Sequence, residues 1–135
     1  LFSKLQKGQT VKVGKKAISP EQVLSKPVRG RKVVYSGDTR FCEPLVKFSR
    51  NADVLVHEST FSDEEKEKAL ETGHSTAKDS ARVAKKAKVG RLFLTHISQR
   101  YPKGKGLEDE ARKIFPESYL AKDLMRVKIQ KPKGR

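Results

Sequence analysis

The chain has 135 residues, 35% of them apolar, which suits one globular domain with a modest core and disfavours both a disordered tail and two independent domains. Its single cysteine, Cys42, excludes an internal disulfide and a thiolate metal cage, so any metal must be held by nitrogen and oxygen. No run of about 18 apolar residues offers a membrane span. The opening Leu1-Phe2-Ser3-Lys4-Leu5 has neither a signal core nor an initiator methionine, and a soluble, cytoplasmic chain truncated at its N-terminus is expected.

The net charge of +15 is unevenly spread. Residues 1–32 carry nine Lys or Arg against one acid, residues 126–135 five against none, and residues 33–125 seventeen against fifteen. Such flanks attract a polyanion such as RNA, because release of counterions from phosphates drives association with little regard to sequence. The plainer reading is a generally lysine-rich surface.

In chain order, residues 1–32 read as a basic arm, with a short strand at Thr10-Val11-Lys12-Val13 and a helix start at Ser19-Pro20-Glu21. Residues 33–135 read as the core. Val33-Val34-Tyr35-Ser36 is a buried strand ending at Gly37-Asp38, and Glu43 to Ala52 fits a helix turning Leu45, Val46 and Phe48 inward. Asp53-Val54-Leu55-Val56 is a second buried strand, delivering His57 and Glu58. Ser62 to Glu65 and Thr76 to Asp79 each match a capping box, predicting helices from Ser62 to about Glu71 and from Thr76 to Lys88. In the second of these, Ala77, Ala81, Ala84 and Ala87 recur near the helical period and permit close packing on a sheet. Val89-Gly90 stops that helix, Arg91-Leu92-Phe93-Leu94 is a third strand, and a helix at Leu107 to Ile114 and a last strand near Met125 to Ile129 follow. Strands alternating with helices imply parallel neighbours, with all strand C-termini on one sheet edge.

Polar clusters sit at those ends: Gly37-Asp38-Thr39-Arg40, His57-Glu58-Ser59-Thr60, Gly73-His74-Ser75-Thr76 and Thr95-His96-Ile97-Ser98. A hydrolytic metal site needs imidazole and carboxylate groups brought from several strand ends to one point. Asp38 is the carboxylate so placed, though Ser-Gly-Asp-Thr is also good turn chemistry. His96 is a metal ligand or a structural histidine, with Ser98 near enough in sequence to orient it. His57-Glu58 and His74 suit proton transfer or support of the ligands. Arg40 and Arg100 could clamp a phosphate, a role that exposed arginines often lack.

Taken in order, Val33 to Arg40, His57 to Phe61, His74 to Thr76 and Thr95 to Tyr101 resemble the C-terminal half of the ribonuclease Z family, tRNA 3′-processing endonucleases. The resemblance implies an α/β fold, the C-terminal half of a metallo-β-lactamase-type αββα sandwich, with two zinc ions at the sheet edges in the complete enzyme. It implies that Asp38 bridges the metals, that His96 is a second ligand, and that His74, assisted by Glu58, protonates the leaving oxygen, with His57 and Ser98 supporting. Residues 1–32, with Lys4 and Lys7, resemble the distal part of the family's tRNA-gripping arm. Precursor tRNA is the implied partner, and a homodimer the implied assembly. The family's His-x-His-x-Asp-His motif has no counterpart here, since no histidine precedes His57. A fragment is therefore expected, which alone neither retains zinc stoichiometrically nor cleaves. Two rivals stand beside this reading: another hydrolase of the same fold acting on a small ester or diester, and a metal-free basic RNA-binding module.

Overall fold

The computed structural model describes residues 1–26 and 28–131, and these form two compact units, divided at Gly30. The first unit begins with helix α1 (Phe2–Gln6), followed by strands β1 (Val11–Val13) and β2 (Lys16–Ile18) in an antiparallel hairpin. Neither α1 nor β2 is signalled by the sequence, because each is too short to show a period. Helix α2 (Pro20–Val23) begins where Ser19-Pro20 places it; Ser19 N donates to Gln22 Oε1 at 2.9 Å, and the helix runs for a single turn. Leu5 and Val11 are the buried apolar residues of this unit, while Lys4 and Lys7 lie exposed.

The second unit holds β3 (Val33–Tyr35), α3 (Glu43–Ser49), β4 (Val54–Glu58), a 3₁₀ turn at Asp63–Glu65, and α4 (Lys66–Thr72). There follow α5 (Ala77–Ala87), β5 (Arg91–Thr95), a turn at Pro102–Gly104, α6 (Leu107–Arg112) and β6 (Ser118–Leu120). The four strands form one all-parallel sheet in the order β3-β4-β5-β6, as alternation with helices requires. One face is the core: Val34, Leu55, Leu92 and Leu94 pack against Val46, Ala77, Ala81, Ala84, Leu107 and Ala111. Each of the buried leucines contributes roughly 1.5–3 kcal/mol, and the alanines of α5 let its backbone lie close on the strands.

On the opposite face, register aligns Tyr35, Val56, Phe93 and Tyr119 in one row across the sheet. Phe93 stacks on Tyr119 with ring centroids 5.5 Å apart. At the edge of this face Val33 and Tyr35 stay 55% and 68% exposed, so β3 is not the buried strand its composition suggests.

Three further expectations are corrected. Phe48 is 67% exposed, because Val46 and Ser49 share the inward face of α3 and Phe48 falls between them; Lys32 Nζ lies over its ring. At Ser62 no capping hydrogen bond forms. Ser62 N donates instead to Tyr101 Oη, Asp63 N donates to Glu110 Oε2, and a 3₁₀ turn precedes α4. The last strand is Ser118–Leu120 rather than Met125–Ile129, whose alternation finds no ladder partner. Carbonyls of that later segment are taken by side chains: Arg91 Nη2 donates to Lys128 O and Arg31 Nη1 to Ile129 O. By contrast the Thr76 capping box forms in full, with Asp79 N donating to Thr76 Oγ1 at 3.1 Å. The helix it starts ends at a left-handed Lys88, two residues before Gly90.

Candidate metal centre

The C-terminal ends of β3, β4 and β5 and the turn before α5 carry the polar clusters to one edge of the sheet. Gly37, with φ of +62°, turns the chain after β3 so that Asp38 leaves the ladder. Gly73, left-handed at φ of +78°, closes α4 and brings His74 back toward β4. His96 itself is left-handed, with φ of +54°, a conformation uncommon for a residue with a Cβ and recurrent at functional sites.

The buried carboxylate of Glu58, 1% exposed, organises the edge. Oε1 accepts from Thr39 N at 3.1 Å, Ser75 N at 3.1 Å and His74 Nδ1 at 2.9 Å. Oε2 accepts from Thr60 N at 3.1 Å and Thr60 Oγ1 at 2.9 Å. Every partner is a donor, so one carboxylate ties together the loops after β3, β4 and α4 and offsets the cost of its own burial. Ser75 Oγ, donating to Thr39 O at 2.6 Å, adds a second tie between two of these loops.

Asp38, His74 and His96 each offer a ligand atom within 4.8 Å of the others, half-buried or exposed at the rim. The two imidazoles stack, with centroids 5.2 Å apart and planes at 28°. His74 gives Nδ1–H to Glu58, which leaves Nε2 outward. His96 Nδ1 lies 2.8 Å from Thr60 Oγ1 and 3.7 Å from Asp38 Oδ1. Two imidazoles and a carboxylate, all nitrogen and oxygen, fit a divalent cation of the zinc type, although three donors fall short of two tetrahedral spheres.

The remaining sequence candidates are placed differently. His57 is fully buried and lies outside the cluster; its Nδ1 donates to Glu58 O at 2.7 Å, and Nε2 has no hydrogen-bond partner among the described residues. Burial pushes its pKa below the ordinary imidazole value, against a smaller opposing effect of the Glu58 carbonyl. Ser98 serves the backbone, its N–H donating to Thr60 O at 3.2 Å, and the hydroxyl that reaches His96 is that of Thr60. Thr60 was legible only as part of the His-Glu-Ser-Thr run, without a role. Arg100 is committed to Glu65, its Nη1 donating to both carboxylate oxygens and lowering that group's pKa, and it lies over the Phe61 ring. Arg40 is exposed beside Gly73, its guanidinium 3.8 Å from the place a β-carbon there would take.

A parallel sheet backed by helices on one face, with a carboxylate and imidazoles gathered at its edge, is an architecture of the β-lactamase superfamily. The chain belongs to that superfamily: the family model described as a beta-lactamase superfamily domain matches residues 6–97. Within it, the sequence is similar to proteins named ribonuclease Z. That of Methanothermobacter thermautotrophicus is 47% identical over 129 residues, covering 96% of this chain and 42% of its own. That of Myxococcus xanthus is 54% identical over 101 residues, covering 74% and 33%. Among solved structures, the short form of human tRNase Z superposes with a TM-score of 0.58 at 34% identity over 84% of this chain and 37% of its own. The metallo-beta-lactamase fold protein YhfI of Bacillus subtilis gives 0.61 at 32% identity over 67% and 36%. The chain thus spans less than half the length of the curated relatives it matches. No helix among the described residues is long and apolar enough to cross a membrane.

Proposed function

We propose that the chain is the C-terminal part of a zinc-dependent endoribonuclease that removes the 3′ trailer of precursor tRNA. The observation that carries this reading is the convergence of Asp38, His74 and His96 around one buried carboxylate, in a chain whose relatives are named ribonuclease Z. The incomplete donor set supports two zinc ions only with further ligands from the rest of the enzyme. The row Tyr35, Val56, Phe93 and Tyr119 offers the apolar face on which the other sheet of the αββα sandwich would stack. Residues 1–32, with Lys4 and Lys7, are assigned to the tRNA-gripping arm and residues 33–135 to the catalytic half, in a cytoplasmic homodimer.

Asp38 and His96 would hold the metal. Zinc held there would supply an acidified water and polarise the phosphoryl oxygen. The departing ribose oxygen needs a proton, and His74 Nε2 is the atom to deliver it: Glu58 holds Nδ1–H at 2.9 Å, so the proton that is gained and released is the one on Nε2. Glu58 is closed to substrate, so it acts through His74. Arg40, without an acidic partner among the described residues and lying beside Gly73, is the better of the two candidate arginines for a flanking phosphate, since Arg100 is occupied. The test compares rates of the full-length protein on a precursor tRNA and on a small phosphodiester, with and without a zinc chelator. Chelator-sensitive cleavage that strongly favours the precursor tRNA is expected. Preference for the small diester would support a different hydrolase of the superfamily, and tight RNA binding without any turnover a metal-free binding module.

A further inference from the structure

A hydroxyl has one proton to give, and at Thr60 that proton is spent. Thr60 Oγ1 donates to Glu58 Oε2 at 2.9 Å, where the carboxylate can only accept. The same oxygen lies 2.8 Å from His96 Nδ1, and must therefore accept there, which requires that Nδ1 carry the ring proton. Asp38 Oδ1, at 3.7 Å, is beyond hydrogen-bonding distance of that nitrogen, and Ser98 offers it nothing. We infer that Thr60 is a positioning residue that sets the tautomer of His96, relaying the polarity of buried Glu58 to Nδ1 and leaving the lone pair on Nε2.

The backbone is arranged for this. Thr60 N also donates to Glu58 Oε2 at 3.1 Å, and Thr60 O accepts from Ser98 N at 3.2 Å, so the residue is held from both sides in front of the His96 ring. The left-handed His96 turns its ring toward Thr60 immediately after β5. Glu58 thereby fixes two imidazoles at once, His74 directly and His96 through one hydroxyl. The consequence is that, in the neutral ring, the ligand nitrogen already presents its lone pair, so binding requires neither tautomer exchange nor ring rotation. The inference rests on the reading of His96 as a metal ligand.

The experiment uses the full-length protein, its Thr60→Val variant, which keeps the shape and removes the hydroxyl, and Thr60→Ser, which restores it. Nitrogen-15 imidazole spectra of the zinc-free protein are recorded at about pH 8.5, about two units above the ordinary imidazole pKa. Zinc affinity is measured by chelator competition. Wild type and Thr60→Ser should show His96 protonated at Nδ1. Thr60→Val should move the proton toward Nε2 and weaken zinc binding about 10–100-fold. An unmoved tautomer and unchanged affinity in Thr60→Val overturns the inference. If Thr60→Val does not fold, the wild-type spectrum decides alone, an Nε2-protonated His96 being the overturning result. A wild-type protein that takes up no zinc overturns the metal reading on which the inference stands, and is told apart by a tautomer that still depends on Thr60.

Discussion

His74 Nδ1 lies 2.9 Å from Glu58 Oε1, an exposed-edge imidazole tethered to a carboxylate that is 1% exposed. The pair joins the part of the site that meets solvent to the part that holds the fold. Substitutions on either side should therefore separate catalysis from stability.

Glu58→Gln presents an amide where five donors converge, and its NH₂ must face at least one of them. Loss of one or two charge-assisted hydrogen bonds predicts a destabilisation of about 2–4 kcal/mol. Urea unfolding should show a lower midpoint at unchanged slope.

His74→Ala removes the proposed proton donor while leaving Asp38 and His96 in place. Cleavage of precursor tRNA by the full-length protein should fall about 10²–10⁴-fold with zinc stoichiometry kept. Loss of zinc in step with activity would make His74 a ligand instead of an acid.

Asp38 has a side chain 57% exposed, at the rim of the site. Asp38→Ala should change stability by no more than about 0.5 kcal/mol, abolish turnover, and leave tRNA binding intact. Gel-shift and cleavage assays on one preparation check both halves of that expectation.

His57 is buried and neutral, with its pKa lowered by desolvation. The unfolded chain then binds the proton more readily than the folded one, so stability is full above the ordinary imidazole value of 6.5 and declines as pH falls below it toward the folded pKa. Urea midpoints taken between about pH 7.5 and 5.5 should fall with pH. The part of that slope due to His57 should vanish in His57→Gln.

A β-carbon at Gly90 would stand 2.7 Å from Asp53 O, a backbone atom that cannot swing away. Gly90→Ala should cost about 1–3 kcal/mol through displacement of β4 or β5. Thermal midpoints of the two proteins are the direct comparison. A residue read as a helix stop is thus required by close approach of two chain segments, while the stop itself falls on Lys88.

Much of the second unit was legible because its signals are local and strong. Apolar runs bounded by polar residues marked β3, β4 and β5, and Thr76 with Asp79 marked the start of α5. What was misread depended on partners distant in sequence. Phe48 looks inward by composition but lies off the buried stripe of α3, and Val127 and Ile129 alternate like a strand without a neighbour to pair with. Ser62 has the letters of a cap, yet its amide goes to Tyr101, 39 residues on.

The same division runs through the site. Sequence alone determined that carboxylate and imidazole stand at the ends of alternating strands, since a parallel sheet must bring those ends to one edge. Only the tertiary structure decided which groups meet. It placed Glu58 beneath the edge, withdrew His57 into the core, committed Arg100 to Glu65, and set Thr60 against His96. The reason is geometric: a strand fixes where a residue ends up, whereas the partner of a polar side chain is fixed by loops folding over one another within hydrogen-bond distance.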